Sequence, residues 1–390
     1  MIDFTFHNPT RIHFGKDSLS HLKEEVLRYG KRVLLVYGGG SIKRIGLYDQ
    51  VMSILNELGA TVWELGGVQP NPRLSLVYKG IDMCRENGVE LVLAVGGGSA
   101  IDTAKAIVSG ACYDGDAWDL FTGKGTNTET LPLGTIVTIP AAGSEMSNSC
   151  VITREEDQCK RGRNTPLNFP CFSILNPEYT YSLPPYQTAC GVVDIMAHMM
   201  ERYFTQVENV ELTDRLTEGA LRTVINNAPI VFEKPEDYDA RAEIMWAGCL
   251  AHNTLYQTGR VGDWASHKLE HELSALYDIA HGAGLAIIFP AWMKYTLPRG
   301  GEKKLAQFAI RVFDVPEDFG TLEEIALEGI RRLEAFYRSL GLTTTLHENG
   351  IGAEDFDRMA DRCAAMMGGS VGFFVKLNAA DCKAIYELAL

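Results

Sequence analysis

The chain reads as two successive fold classes: an α/β part with a Rossmann-like, doubly wound parallel sheet over residues 1–182, then an all-helical part over residues 183–390. Three observations predict this. In the first half, apolar runs of strand length alternate with segments of helical spacing. Two of those runs end in triple-glycine turns that open a helix, Gly38-Gly39-Gly40-Ser41 and Gly96-Gly97-Gly98-Ser99. After Ser182-Leu183-Pro184-Pro185 the texture changes to long apolar-periodic segments with few strand signals.

Element by element, residues 2–15 alternate apolar and polar side chains around Asn8-Pro9 and read as two short strands joined by a turn. An exposed arm of that kind offers an edge to a second copy, so a homodimer through the N-terminal strand is expected. Residues 32–37 form the next strand, 47–58 carry helical spacing, and 61–65 return to strand. Leu91-Val92-Leu93-Ala94-Val95 is apolar at every position, as expected of a strand covered on both faces of a parallel sheet. Further strands are expected at 135–139 and from Ser173 to Pro177. Helices are expected over 186–204, 211–228, 239–258, 264–277, 302–313, 321–340, 353–366 and 378–389.

Composition limits the function classes. With 36 Lys+Arg against 50 Asp+Glu the net charge is −14, a field that repels phosphate backbones and argues against nucleic-acid binding. The nine cysteines are scattered, odd in number and without a CxxC pair, which reads as thiols in a reducing, cytoplasmic setting. No leader-like N-terminus and no run of apolar residues of membrane-spanning length is evident.

In an open parallel sheet, ligands bind outside the carboxyl ends of the strands, where helix N-termini present backbone N–H groups to a pyrophosphate. Gly97, Gly98 and Ser99 offer such N–H groups, although the spacing is not G-x-G-x-x-G. Glycines of a tight turn also serve backbone geometry alone; two such turns after two strands favour a dinucleotide cradle. The earlier turn, Gly38, Gly39, Gly40 and Ser41, is followed by Lys43 and lacks the carboxylate that NAD-selective sheets place against the ribose. That arrangement prefers NADP(H), with Lys43 either facing the 2′-phosphate or solvating the helix start.

In the second half, Asp194 and His198 lie four residues apart on a helical segment, as do His267 and His271, and His281-Gly282 follows a helix end. An i,i+4 pair alone is commonly a surface hydrogen bond. Asp194, His198, His267 and His281 together suit one divalent cation, Fe²⁺ or Zn²⁺ with Ni²⁺ also accommodated, at a catalytic site.

Taken together, these motifs, with Pro70-Asn71-Pro72, Thr138 to Ser147 and the H-x3-H-x9-H-G run from His267, resemble the iron-containing (group III) alcohol dehydrogenase family. Within it the resemblance is to the NADP-dependent butanol dehydrogenase or aldehyde reductase branch. It implies a dehydroquinate synthase-like architecture with Asp194, His198, His267 and His281 as metal ligands and His271 near the nicotinamide. On the coenzyme side it implies Gly39, Ser41, Asn71, Gly97, Gly98, Ser99, Asp102, Thr138, Ile139, Ser147, Lys160, Tyr179 and Leu183.

The implied reaction is hydride transfer between the nicotinamide and a small alcohol or aldehyde whose oxygen is polarised by the cation, with His271 relaying the proton. The alternative for His271 is a hydrogen bond that only orients His267. Rival readings are a glycerol dehydrogenase-like polyol oxidation with NAD, a dehydroquinate synthase-like lyase, and an NADP(H)-binding sensor without turnover. The lyase would need clustered cations beside the metal, and only Arg202, Arg260 and Lys268 are near in sequence. Two cysteines, Cys150 and Cys159, flank the stretch before Lys160 and read as buried small hydrophobes.

Overall fold

A computed structural model describes all 390 residues. Its strands are β1 (Arg11–Phe14), β2 (Arg32–Tyr37), β3 (Thr61–Leu65), β4 (Leu91–Gly96), β5 (Leu133–Val137), β6 (Ser149–Arg154), β7 (Cys159–Asn164) and β8 (Phe172–Leu175). Six of them form one parallel sheet in the order β1-β8-β5-β4-β2-β3, while β6 and β7 make a separate antiparallel pair. Every residue of β4 is buried, so the continuous apolar run is the signature of a central strand. From β2 the chain moves outward to β3, then crosses back to β4 on the other side of β2. The reversal puts the switch point of the sheet between β2 and β4, where both triple-glycine turns leave.

Helices α1 (Leu22–Tyr29), α2 (Ser41–Arg44), α3 (Leu47–Glu57), α4 (Leu74–Asn87), α5 (Gly98–Ala111) and α6 (Asp119–Thr122) belong to the same half. Val26, Val51 and Leu55 from α1 and α3 bury one face of the sheet against Val33, Leu35, Leu91, Leu93, Ile136 and Ile174.

The remaining helices are α7 (Pro185–Tyr203), α8 (Glu211–Glu233), α9 (Tyr238–Ala251), α10 (Ala265–Tyr277), α11 (His281–Thr296), α12 (Glu302–Phe313), α13 (Leu322–Ser339), α14 (Phe356–Met366) and α15 (Ala379–Leu388). Capping boxes start α13 and α15, with Thr321 paired to Glu324 and Asn378 to Asp381. Their core is aromatic: the Phe204 ring lies 5.4 Å from both Trp292 and Phe308.

The chain divides into two compact units, one of His7–Leu183 with Pro235–Asn253, the other of Met1–Phe6 with Pro184–Lys234 and Thr254–Leu390. A single cut near residue 182 therefore misses three crossings, after Phe6, Lys234 and Asn253. The segment with α9 returns to the sheet-bearing unit because Trp246 packs edge-on against Phe14 and His252 Nδ1 meets the Ala142 carbonyl at 3.0 Å.

The first strand expected within residues 2–15 does not form. Residues 1–10 have no regular structure; Ile2 N–H donates instead to the Gly259 carbonyl at 2.9 Å, within the helical unit. Only Arg11–Phe14 is a strand, paired in parallel with β8. Helix α11 was not expected, because it is apolar on all sides, nor was the polar β6–β7 pair. All nine cysteines are thiols, and no helix is long and apolar enough to cross a membrane.

Candidate metal centre and dinucleotide cradle

The metal candidates are built on three consecutive packing decisions in the helical unit. Helix α7 is buried along nearly its whole length and carries Asp194 and His198 one turn apart. Helix α10 presents His267 and His271 in the same way. Helix α11 begins at His281 and must press against α7: a Cβ on Gly282 would stand 2.0 Å from the Cys190 carbonyl oxygen. Glycine alone permits that approach.

As a result Asp194, His267 and His281 turn ligand atoms to one place, all within 4.8 Å of one another. Asp194 Oδ1 is the pivot, 3.7 Å from His281 Nε2 and 4.0 Å from His267 Nε2. The fourth predicted ligand, His198, stands beside this group with its ring 4.6 Å from that of His267. It contacts Asp194 through Nδ1, at 2.9 Å from the carbonyl oxygen and 3.0 Å from Oδ1. His271 stands one turn beyond, 5.5 Å from the His281 ring and 6.5 Å from that of His267.

Two buried glutamates, unnoticed in the sequence, complete the centre. Glu201 on α7 lies 2.8 Å from His267 Nδ1 through Oε1, which also accepts the His267 backbone N–H at 2.9 Å. Its other oxygen accepts the Trp264 N–H. Glu270 on α10 meets His281 Nδ1, and a Cβ on Gly284 would clash with it at 2.8 Å. Burial and the Asp263 carboxylate raise the Glu201 pKa, while the two backbone N–H groups and the Arg202 guanidinium oppose that rise. Asp263 itself is pushed up to about 6 by burial against N–H groups of Phe374, Phe373 and Ala265.

The donor set fits a divalent cation of borderline softness. One carboxylate and imidazole nitrogens converge, and the far nitrogens of His267 and His281 are each held by a carboxylate, as in carboxylate–histidine–metal arrangements.

In the sheet-bearing unit the two glycine turns differ. A Cβ on Gly97 would lie 2.9 Å from Ile139, and one on Gly98 3.1 Å from Ala142, so these glycines let the loop after β5 pack on the turn. Thr138 joins this contact by donating its N–H to the Gly96 carbonyl at 3.0 Å. Helix α5 starts at Gly98 with no side-chain cap and no acidic residue in its first turn, which leaves its N-terminal donors to an anionic ligand. At the other turn, nothing lies within 4 Å of a Cβ on Gly39.

Lys43 is exposed, and its ammonium lies over two tyrosine rings. Its Nζ lies 4.4 Å from the Tyr48 ring centre and 5.4 Å from that of Tyr37. Both tyrosine hydroxyls donate to Glu64, at 2.8 and 2.7 Å, and burial followed by this bond pushes Tyr37 up to about 12. Glu64 sits near the end of β3, so a carboxylate does stand beside Lys43, contrary to the reading of the glycine turn alone.

Asp102 accepts the Ser144 hydroxyl at 2.6 Å and the Val151 N–H at 2.9 Å. One turn on, the fully buried Lys105 donates to the carbonyls of Ser144, Ser147 and Ser149 at 2.7, 2.9 and 2.7 Å. Together they fasten the loop after β5 to α5; Lys105 was missed because it lies in an otherwise apolar helical run. The Ser147 hydroxyl accepts the Ser149 N–H within that loop at 2.9 Å. Lys160 on β7 donates to Asn71 at 3.0 Å, which brings together two residues 89 positions apart. Tyr179 is half-buried beside Gln50 and Ile54 in a surface hollow, and Leu183 closes the turn after it, donating its N–H to Thr180 at 3.1 Å. The Cys150 thiol donates to the Asp102 carbonyl at 3.2 Å, and burial raises its pKa well above the usual thiol value.

The chain is similar to known proteins along its whole length. The sequence pattern of "Iron-containing alcohol dehydrogenase" matches residues 9–177, and that of the C-terminal part of the Fe-containing alcohol dehydrogenase family matches 188–390. The chain is 50% identical to a "Probable NADH-dependent butanol dehydrogenase 1" of Bacillus subtilis over 100% of both chains. It is 39% identical to the "NADPH-dependent aldehyde reductase YqhD" of Escherichia coli over 90% of each. A crystal structure of "NADH-dependent butanol dehydrogenase A" from Thermotoga maritima superposes with a TM-score of 0.95 at 41% identity, covering 100% of this chain and 99% of that one.

Proposed function

Because the chain belongs to the iron-containing alcohol dehydrogenase family, we propose that it interconverts short-chain primary alcohols and aldehydes by hydride transfer with a nicotinamide coenzyme. The observation that carries this reading is the convergence of Asp194, His267 and His281 on one point. With His198 they would hold one divalent cation, Fe²⁺ or Zn²⁺, with Ni²⁺ also suited to the donors. The cation supplies Lewis-acid polarisation of a substrate oxygen.

The chain's own residues do the rest. N–H groups at the start of α5 bind the pyrophosphate, and Asp102 and Lys105 hold the loop that packs on that turn. His271, buried one turn beyond His267, takes up or returns the substrate proton.

NADP(H) is the coenzyme reading supported by the open space at Gly39 and the ammonium of Lys43. A second reading, NADH, is favoured by the Glu64 carboxylate, which would repel a 2′-phosphate, and by the printed names of the butanol dehydrogenases above. For assembly, the edge position of β1 supports a homodimer through that strand, which sedimentation velocity tests directly. The nine thiols support a cytoplasmic setting.

The deciding experiment follows NADPH and NADH oxidation with a series of linear aldehydes, before and after metal removal and reconstitution with Fe²⁺ or Zn²⁺. Turnover that vanishes with the metal and returns with it is the expected result. A protein that binds metal and coenzyme yet turns over no aldehyde, alcohol or polyol would be a sensor instead.

A further inference from the structure

A neutral imidazole has one N–H and one lone pair, so a histidine can serve as a ligand only through the nitrogen that lacks the proton. Which nitrogen that is depends on what the other one meets. Beside the pivot at Asp194, the question has a structural answer for two of the three imidazoles.

We propose that Glu201 and Glu270 are positioning residues that fix the tautomer and ring angle of His267 and His281, so that Nε2 of each presents its lone pair toward Asp194. The inference rests on the cation reading of the preceding subsection, and its test separates the two.

Both glutamates are 0% exposed, a costly place for a carboxylate unless donors surround it. Glu201 has three: the His267 N–H at 2.9 Å, the His267 Nδ1 at 2.8 Å and the Trp264 N–H. Two of these are backbone amides at the start of α10, which can only donate, so the carboxylate also caps that helix where its dipole favours negative charge. The same oxygen that caps the helix receives the imidazole, and the cap therefore sets the ring. Glu270 does the corresponding work one helix later, reaching from α10 to His281 Nδ1 at the start of α11, with Gly284 leaving the room its side chain needs.

The arrangement is a relay of constraints. A carboxylate on α7 holds an imidazole on α10, and a carboxylate on α10 holds an imidazole on α11. Each imidazole is aimed by a helix other than its own.

The two sites respond differently to an amide. Glu270 meets His281 Nδ1 through a carboxylate oxygen, and a glutamine there can supply an oxygen to the same nitrogen and keep the tautomer. At Glu201 the amide nitrogen must face a donor whichever way it turns: the Trp264 N–H in one orientation, the His267 N–H in the other.

The test uses the full-length protein with ¹⁵N-labelled histidine, prepared metal-free, and reads the imidazole tautomers by long-range ¹H–¹⁵N spectra above neutral pH. Zn²⁺ affinity is read in parallel by competition with a chromophoric chelator, and coenzyme binding and thermal unfolding report the fold. In the unaltered protein His267 and His281 are expected as Nδ1–H tautomers. Glu270→Leu is expected to release His281 to the other tautomer and to lower Zn²⁺ affinity about 10- to 100-fold. Glu270→Gln should restore the tautomer and most of the affinity, a rescue that a merely space-filling role would not give. Glu201→Gln should lose more affinity than Glu270→Gln. An unchanged His281 tautomer and affinity in Glu270→Leu overturns the proposal. If the unaltered protein binds no Zn²⁺ at all, the cation reading fails, and the tautomers alone decide the role of the glutamates.

Discussion

Ser144 donates its hydroxyl to Asp102 Oδ1 at 2.6 Å, tying the loop after β5 to the helix that opens at the glycine turn. Hydrogen bonds to a buried carboxylate contribute on the order of 1.5–3 kcal/mol. Asp102→Ala should therefore loosen the wall of the dinucleotide cradle, raising the dissociation constant for coenzyme by roughly tenfold or more, as read by fluorescence titration. Metal content should not change, since the metal candidates lie in the other unit.

The pH dependence of stability should carry the mark of Glu145. This carboxyl is fully buried in the same loop, and burial raises it from its ordinary 4.5 to about 7, against opposing contributions from its own backbone N–H, Lys105 and Cys249. Between those values the native state holds a proton that the unfolded chain has lost. Stability from this group is thus complete below about 4.5 and is lost as the pH rises to about 7. By linkage the loss approaches about 3 kcal/mol. Glu145→Gln, which needs no proton to stay neutral, should gain on the unaltered protein in urea unfolding at pH 8 and lose that advantage at pH 4.5. A constant difference across the range would contradict this assignment.

Replacing His271 separates proton transfer from metal holding. His271→Ala should retain one metal ion per chain while lowering kcat about 10²–10⁴-fold, the usual weight of a positioned acid–base group. Loss of metal together with activity would instead make His271 a support for His267.

Coenzyme choice should respond to three substitutions in predictable directions. Lys43→Ala removes the cation at the first turn and should lower kcat/KM for NADPH more than for NADH. Glu64→Gln removes the opposing charge and should raise the NADPH-to-NADH ratio several-fold, a shift of about 1 kcal/mol. Gly39→Asp fills open space with a carboxylate and should turn the preference toward NADH. If all three leave the ratio of kcat/KM values unchanged, the ribose lies elsewhere.

The sheet was legible in the sequence because parallel strands covered on both faces must be apolar throughout, as Leu91 to Val95 are. The grouping of Asp194, His267 and His281 was legible because two four-residue spacings and the nearby His281-Gly282 place several donors of metal-binding type on adjacent helical segments. What could not be read has physical causes. His281–Thr296 is hydrophobic on every side, so it has no period to detect, and Gly282, Gly284 and Pro290 look like breakers although they are packing residues. The Cys159–Asn164 strand is mostly polar or charged and shows no alternation of apolar residues. Glu201 and Glu270 look like solvent-facing helical residues until their neighbours are placed. Periodicity also carries no information about which unit a helix joins, and α9 was accordingly grouped with its sequence neighbours.

The excursion of residues 235–253 back to the sheet-bearing unit bears on how the protein emerges from the ribosome. Although β8 ends at Leu175, that unit lacks α9 until the nascent chain has reached Asn253, by which time α7 and α8 have already been synthesised. The sheet-bearing unit is thus completed only after part of the helical unit has been made, and the surface that α9 covers stays open for tens of residues of translation. Truncation between residues 183 and 253 would freeze the chain in that exposed state, so nonsense fragments from this window should be aggregation-prone and depend on holdase chaperones.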